Sequence, residues 1–169
     1  MNRIVSTALL AGAMLWAAPA PAEVSNTGEI WVSWDANRVI ALATEVGDTG
    51  TLIPGDNSEP PSVGIVTSGG LKYVIEPTAC NQGTCYGFQL TAEFDGSVTA
   101  EQMNQFNLAR SFTKAYVDEG NAYLTRYEIS DYGIPKGNFA ADMTNFEAVA
   151  VTFETFLSSG QINDTPDNK

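Results

Sequence analysis

The stretch CNQGTCYGFQLTAEF, residues 80–94, holds both cysteines of the chain and then alternates strictly. Tyr86, Phe88, Leu90, Ala92 and Phe94 fall on one side, and Gln89, Thr91 and Glu93 on the other. Period-two alternation predicts a strand with one buried and one wetted face. Between the cysteines stand Asn81, Gln82, Gly83 and Thr84, which have turn chemistry. A redox pair has the shorter C-x-x-C spacing, usually at a helix N-terminus. A zinc site needs more soft ligands than a chain without histidine or a third cysteine offers. The reading favoured over both is a structural disulfide, Cys80–Cys85, stapling a hairpin.

Upstream, SVGIVTS, a Gly69-Gly70 turn and LKYVIEP read as a hairpin. PGDNSEPPS before it is a proline-rich loop, and TLI at 51–53 is at most a short strand. Residues 33–47 predict a helix, with Ser33 as N-cap, Asp35 in the first turn and Gly47 as the stop. Val39, Ile40, Ala43 and Val46 form its apolar face. Downstream, a second helix is expected from Thr99, with Met103, Phe106 and Ala109 inward. KAYVD and AYLTRYEIS then make a hairpin about Gly120-Asn121, and DYGIPKG is a break. A third helix runs from an N-cap at Asn138 to about Ser158, with Phe139, Met143, Phe146, Ala150, Phe153 and Leu157 as one stripe. The expected class is α+β: an antiparallel sheet with three helices in the order α-β(3–4)-α-β-β-α.

The N-terminus addresses the chain. Arg3, an apolar run of roughly a dozen residues and AAPAPA have the order of a secretory signal peptide, 1–22, cut before Glu23. The run is shorter than the roughly 20 residues a membrane span needs, so no span is expected after cleavage. Residues 23–158 are then a single domain and 159–169 a disordered polar tail. A bacterial, periplasmic or secreted location is expected. Twenty acidic residues against eight basic ones give a net charge of −12. Such a field repels phosphate backbones and excludes nucleic acid as a partner.

Without histidine the commonest general base and metal ligand are absent. No G-x-S-x-G elbow occurs, and carboxylate neighbours such as Asp118 with Glu119, or Glu128 with Asp131, arise readily among so many acids. GDNSEPP lacks the spacing of an EF-hand loop. The expectation is no enzyme, no catalytic residue, no resident metal and no cofactor. What remains concerns surfaces. Val149 and Phe156 widen the apolar face of the last helix; with Phe106 and Tyr116 they are the candidate partner contacts, although each also suits the core. Arg110, Lys114, Arg126 and Lys136 cluster in sequence, where pairing with nearby acids is expected before a basic spot for an acidic peptide.

The cysteine segment followed by MNQFNLARSFTKAYVDEGNAYL resembles the YbjN-domain family. Its exported members have two cysteines before a strand of the LQF-A-F kind, a helix with an N-x-W-N core, and then RF-x-x-AYLD. Matching positions are Cys80, Cys85, Phe88, Gln89, Leu90, Ala92 and Phe94, then Asn104, Phe106 and Asn107, then Phe112, Ala115, Tyr116, Val117 and Asp118. Gly133 suits the glycine before the last helix, and with the end helices the resemblance spans about 29–158. Phe106 stands where the family has tryptophan, and Ser111 where it has arginine, with Arg110 one place earlier. The resemblance implies a fold similar to type III secretion chaperones and a role as a sensory-transduction regulator. By that analogy the chain would act as a regulator or chaperone-like binder of an unidentified protein or peptide, and would form a homodimer. The alternative is a periplasmic sensor of a small molecule or cation.

Overall fold

The computed structural model describes residues 23–56, 59–96 and 98–162. The expected signal peptide at 1–22 lies outside the described residues, as does the tail from residue 163. The elements run β1 (Ile30–Trp31), α1 (Ala36–Val46), β2 (Thr49–Ile53), β3 (Ser62–Val66), β4 (Lys72–Asn81), β5 (Thr84–Phe94), α2 (Ala100–Ala109), β6 (Lys114–Asp118), β7 (Asn121–Ile129), β8 (Ile134–Pro135) and α3 (Lys136–Ser159). Four strands lie between the first two helices, and a hairpin and the short β8 between the second and third; apart from the two-residue β1 and β8 this is the α+β order expected from the sequence.

The sheet is antiparallel throughout, in the order β2-β3-β4-β5-β7-β6. Its register follows the alternation in β5: Leu90 pairs with Ile75 and Arg126, and Ala92 with Leu124. Val63, Ile65, Tyr73, Ile75, Phe88, Leu90, Ala92 and Leu124 are buried beneath the helices, while their sequence neighbours face the other way. The helices contribute Val39, Leu42 and Ala43 from α1, Met103 and Phe106 from α2, and the α3 stripe. Phe88 meets Phe139 and Trp34 edge-on at 5.1 and 5.5 Å. Phe106 packs on Phe153 at 4.7 Å and Phe156 at 5.5 Å. Each such aromatic pair adds about 0.5–1.5 kcal/mol to the burial itself.

Several local expectations are corrected. The N-cap of α1 is Asp35, not Ser33: its carboxylate accepts from the N–H groups of Asn37 and Arg38, while Gly47 ends the helix at φ 94°. Leu42 joins the face of α1, and Ala109 of α2 is exposed because that helix ends at Arg110 and its last turn overhangs the core. Thr99 does cap α2, in a reciprocal capping box with Gln102. The β6–β7 turn places Glu119 and Gly120 at positive φ, and Asn121 is already in the strand, donating to Glu93. Helix α3 starts two residues before Asn138, with Pro135 as an N-cap that makes no side-chain bond. The donors at its start are satisfied elsewhere: Lys136 N–H donates to Glu29 O and Gly137 N–H to Thr27 O. The segment before α1 therefore builds β1 against β8 and packs Trp31 on Phe139. At the far end α3 reaches Ser159, and Ile162 still packs on the core, beyond the point where the polar tail was expected to begin.

Candidate functional site

Cys80 and Cys85 face each other across the β4–β5 hairpin, joined as a disulfide, with their Cα atoms 3.9 Å apart. Gln82 and Gly83 both have positive φ, so a two-residue turn of the primed kind closes the ladder. This joins two neighbouring strands at their tips and anchors the strand on which the core is built.

Of the four candidate contacts, Phe106 and Phe156 are 0% and 1% exposed. On the folded chain neither presents a surface, because the Phe106–Phe153–Phe156 cluster needs both rings to fill the space between α2 and α3. Val149 is half-buried against the same core. Tyr116 differs. It lies half-buried on β6, with its ring stacked on Tyr123 at 5.1 Å and the Lys114 ammonium 5.5 Å above it. Burial, then Asp118 and Glu76, raise the pKa of its phenol.

The basic residues resolve mainly into pairs and ring contacts. Arg126 pairs with Glu128 and lies 3.5 Å from Asp142 of α3, with its guanidinium over Phe112 at 4.2 Å. Desolvation raises the Glu128 carboxyl, and Asp142 adds to it, against the pull of Arg126. Lys136 is buried, and its ammonium bonds Glu45 at 2.7 Å and Ser25 at 3.4 Å. That joins α1, α3 and the N-terminal segment at one point. The Lys136 bond, followed by Ser25 N–H, holds the Glu45 carboxyl below its ordinary range.

The two faces of the sheet differ. The helices occupy one; on the other, Thr51 and Glu93 are exposed and Val74, Thr91 and Tyr123 half-buried. A groove of about 470 Å³ runs over this outer face, lined among others by Thr51, Ile53, Gly64, Val66, Val74 and Tyr123. Ile53 and Val66 flank it, each about two-fifths exposed. Glu93 closes one end, accepting from Asn121 and the Tyr123 hydroxyl.

The two edges of the sheet also differ. The outward N–H and C=O of Ala115 on β6 are taken by the Asn107 side chain, which accepts at 2.7 Å and donates at 2.9 Å. At that position the edge is closed to a further strand. Edge strand β2, in contrast, is exposed at every residue but Gly50, whose missing side chain lets α1 approach: a Cβ there would lie 3.0 Å from Ile40 Cα.

A second concavity, about 940 Å³, lies between the β3–β4 turn, the segment after α2, and α3. Glu147 and Arg110 both line it. The Tyr73 hydroxyl donates to Glu147 at 3.0 Å, and the Glu147 carboxyl also meets the carboxyl of Asp48. Desolvation, then that contact, push Glu147 up to about 7, while burial and Glu147 push Tyr73 far above its usual range. Sequence reading missed this triad, since Asp48, Tyr73 and Glu147 come from three distant segments. The Asn107 bonds had a signal in the N-x-W-N motif, though the motif did not say what the asparagine holds.

A match to the family model described as "Putative bacterial sensory transduction regulator", YbjN, covers residues 56–159. The chain belongs to the YbjN family. The YbjN match begins after β2 and takes in β3 to β8, α2 and all of α3, so the disulfide and most of the outer groove lie within it. No curated protein matches the chain. Among solved structures it is similar to the "Crystal structure of an uncharacterized protein from Methanothermobacter thermautotrophicus", with a TM-score of 0.55 and 11% identity. That likeness covers 73% of this chain and 96% of the other, and it concerns the YbjN fold alone.

Proposed function

We propose that this YbjN domain is an exported, non-enzymatic regulator or chaperone-like binder that works by holding an extended segment of another protein against the outer face of its sheet. The observation that carries the reading is the uncovered groove beside an open edge strand, on a sheet whose opposite edge carries the Asn107 bonds. An extended segment would add main-chain bonds along β2 and seat alternate side chains on Ile53, Val66 and Val74. Tyr116, stacked at the far side of the same face, is the candidate contact from the sequence that keeps this role. Export rests on the signal-like N-terminus, and the absence of histidine supports the non-enzymatic part.

The test compares affinity capture from native periplasmic extract by residues 23–169 and by an Ile53→Asp/Val66→Asp variant. Both substitutions sit at half-exposed positions outside the core. A protein recovered by the parent and lost by the variant, with unchanged circular dichroism, is expected. The same proteins from both baits would overturn the reading. A second reading, a small-molecule sensor, draws on the 940 Å³ concavity beside Glu147 and Arg110. It is favoured if metabolites raise the melting temperature of both baits alike.

A further inference from the structure

We propose that Asp48 and Glu147 share one proton, and that this proton is a pH-sensitive latch clamping the α1–β2 and β3–β4 turns onto α3 beside the larger concavity. A proton held between the two carboxyls accounts for how their oxygens are placed. Asp48 Oδ1 accepts from Ser68 N–H of the β3–β4 turn at 3.2 Å. Asp48 Oδ2 is buried, and among the described residues no amide or hydroxyl donor reaches it. Glu147 takes the Tyr73 hydroxyl on Oε1 and meets Asp48 with its carboxyl. Two ionised carboxylates in contact repel, and neither could donate to the other. One protonated carboxyl turns the repulsion into a hydrogen bond and supplies the donor that Asp48 lacks.

Three elements bear on the pair, each with one titratable group: Tyr73 on β4, Asp48 after α1 and Glu147 on α3. Tyr73 remains a phenol, since its carboxylate neighbours and its burial resist ionisation. It therefore donates at every working pH and does not switch. Arg110 lines the concavity from the segment after α2 and is the cation present there. The proton is held in the folded state between 4.5, the ordinary value for glutamate, and about 7, where the unfolded chain has already released it. Stability from the latch is therefore present below that window and lost as pH rises through it. Above neutrality the two turns separate from α3 and the wall formed by Thr67, Ser68 and Gly69 loosens.

The test is urea denaturation of residues 23–169 between pH 5 and 8.5, beside Glu147→Gln and Asp48→Asn. In the parent the folding equilibrium constant should fall by about tenfold or more over that range, the half exposure of Glu147 limiting the effect. Glutamine imitates the protonated acid, accepting from Tyr73 and donating to Asp48. Glu147→Gln should therefore remove most of the slope, leaving the part that the raised Glu128 carboxyl contributes, and match or exceed the parent at pH 8.5. Asparagine at 48 supplies a donor to ionised Glu147 and should flatten the slope as well. Amide exchange over residues 67–71, corrected for intrinsic rate, should quicken above pH 7 in the parent only. A flat parent profile, or slopes as steep as the parent's in both variants, would overturn the proposal. If one variant fails to fold, the other and the parent's exchange profile decide it.

Discussion

At the scale of single residues, small polar side chains do much of the specifying. Asp35 and Thr99 start helices by accepting main-chain N–H groups, each a contribution of about 1 kcal/mol. Asn107 reaches across to β6 and satisfies both outward groups of Ala115. Asn107→Ala leaves that N–H and C=O without partners at a half-buried site. The expected loss is about 2 kcal/mol by chemical denaturation, and Asn107→Asp, which keeps only the acceptor, should fall between. A loss within a few tenths of a kcal/mol would mean that water replaces the amide. Phe106, one position earlier, is instead a core residue. A charge at Phe106 or Phe156 would act on folding before it acted on any partner.

Among the elements, α3 shows how position overrules propensity. Its stripe of Phe139, Met143, Phe146, Ala150 and Phe153 was legible because helix period and burial coincide. Its start was not, since the donors of the first turn go to carbonyls of residues 27 and 29, more than a hundred positions upstream. Gly137 sits at that junction, where a Cβ would stand 2.8 Å from Thr27 Cβ and 3.2 Å from its carbonyl oxygen. Gly→Ala inside a helix ordinarily stabilises by about 1 kcal/mol. Gly137→Ala is expected to do the opposite, destabilising by about 1–2 kcal/mol as the N-terminal segment is pushed off α3. A higher melting temperature for this variant would show that the segment yields freely. Strand β5 is the contrasting element: period two, burial on one face and the cysteine hairpin agree, and the structure follows them from Thr84 to Phe94.

For the whole molecule, carboxyls shifted in opposite directions pull on opposite arms of the stability profile. Glu45 is held below its ordinary value of 4.5 by Lys136 and Ser25, so its contribution is present above that value and lost as pH falls. Glu147 works in the other sense. Stability should therefore peak in mildly acidic buffer, near about pH 5, and decline on both sides. Lys136→Met should lower stability at pH 7 and make the acid arm shallower, as read from urea midpoints between pH 3 and 6. An unchanged acid arm would place acid sensitivity in other carboxylates.

Local chemistry was enough for the sequence alone to determine the helices, the central hairpins, the disulfide and the family. Periodicity, turn residues and cysteine spacing act within about 20 residues, the range over which a single chain can be read. The inward face of β5 follows from the same signals, whereas β2, expected as at most a short strand at 51–53, runs over Thr49–Ile53 once β3 pairs with it. Only the tertiary structure decided which apolar residues remain outside, because burial depends on what packs opposite: Phe156 is covered by Phe106, whereas Val66 and Ile53 stay about two-fifths exposed. It also decided the β1–β8 pairing, the bonds made by Asn107 and the meeting of Asp48, Tyr73 and Glu147. Those contacts join residues far apart in the chain, and their energy exists only once the sheet has set the distance between them.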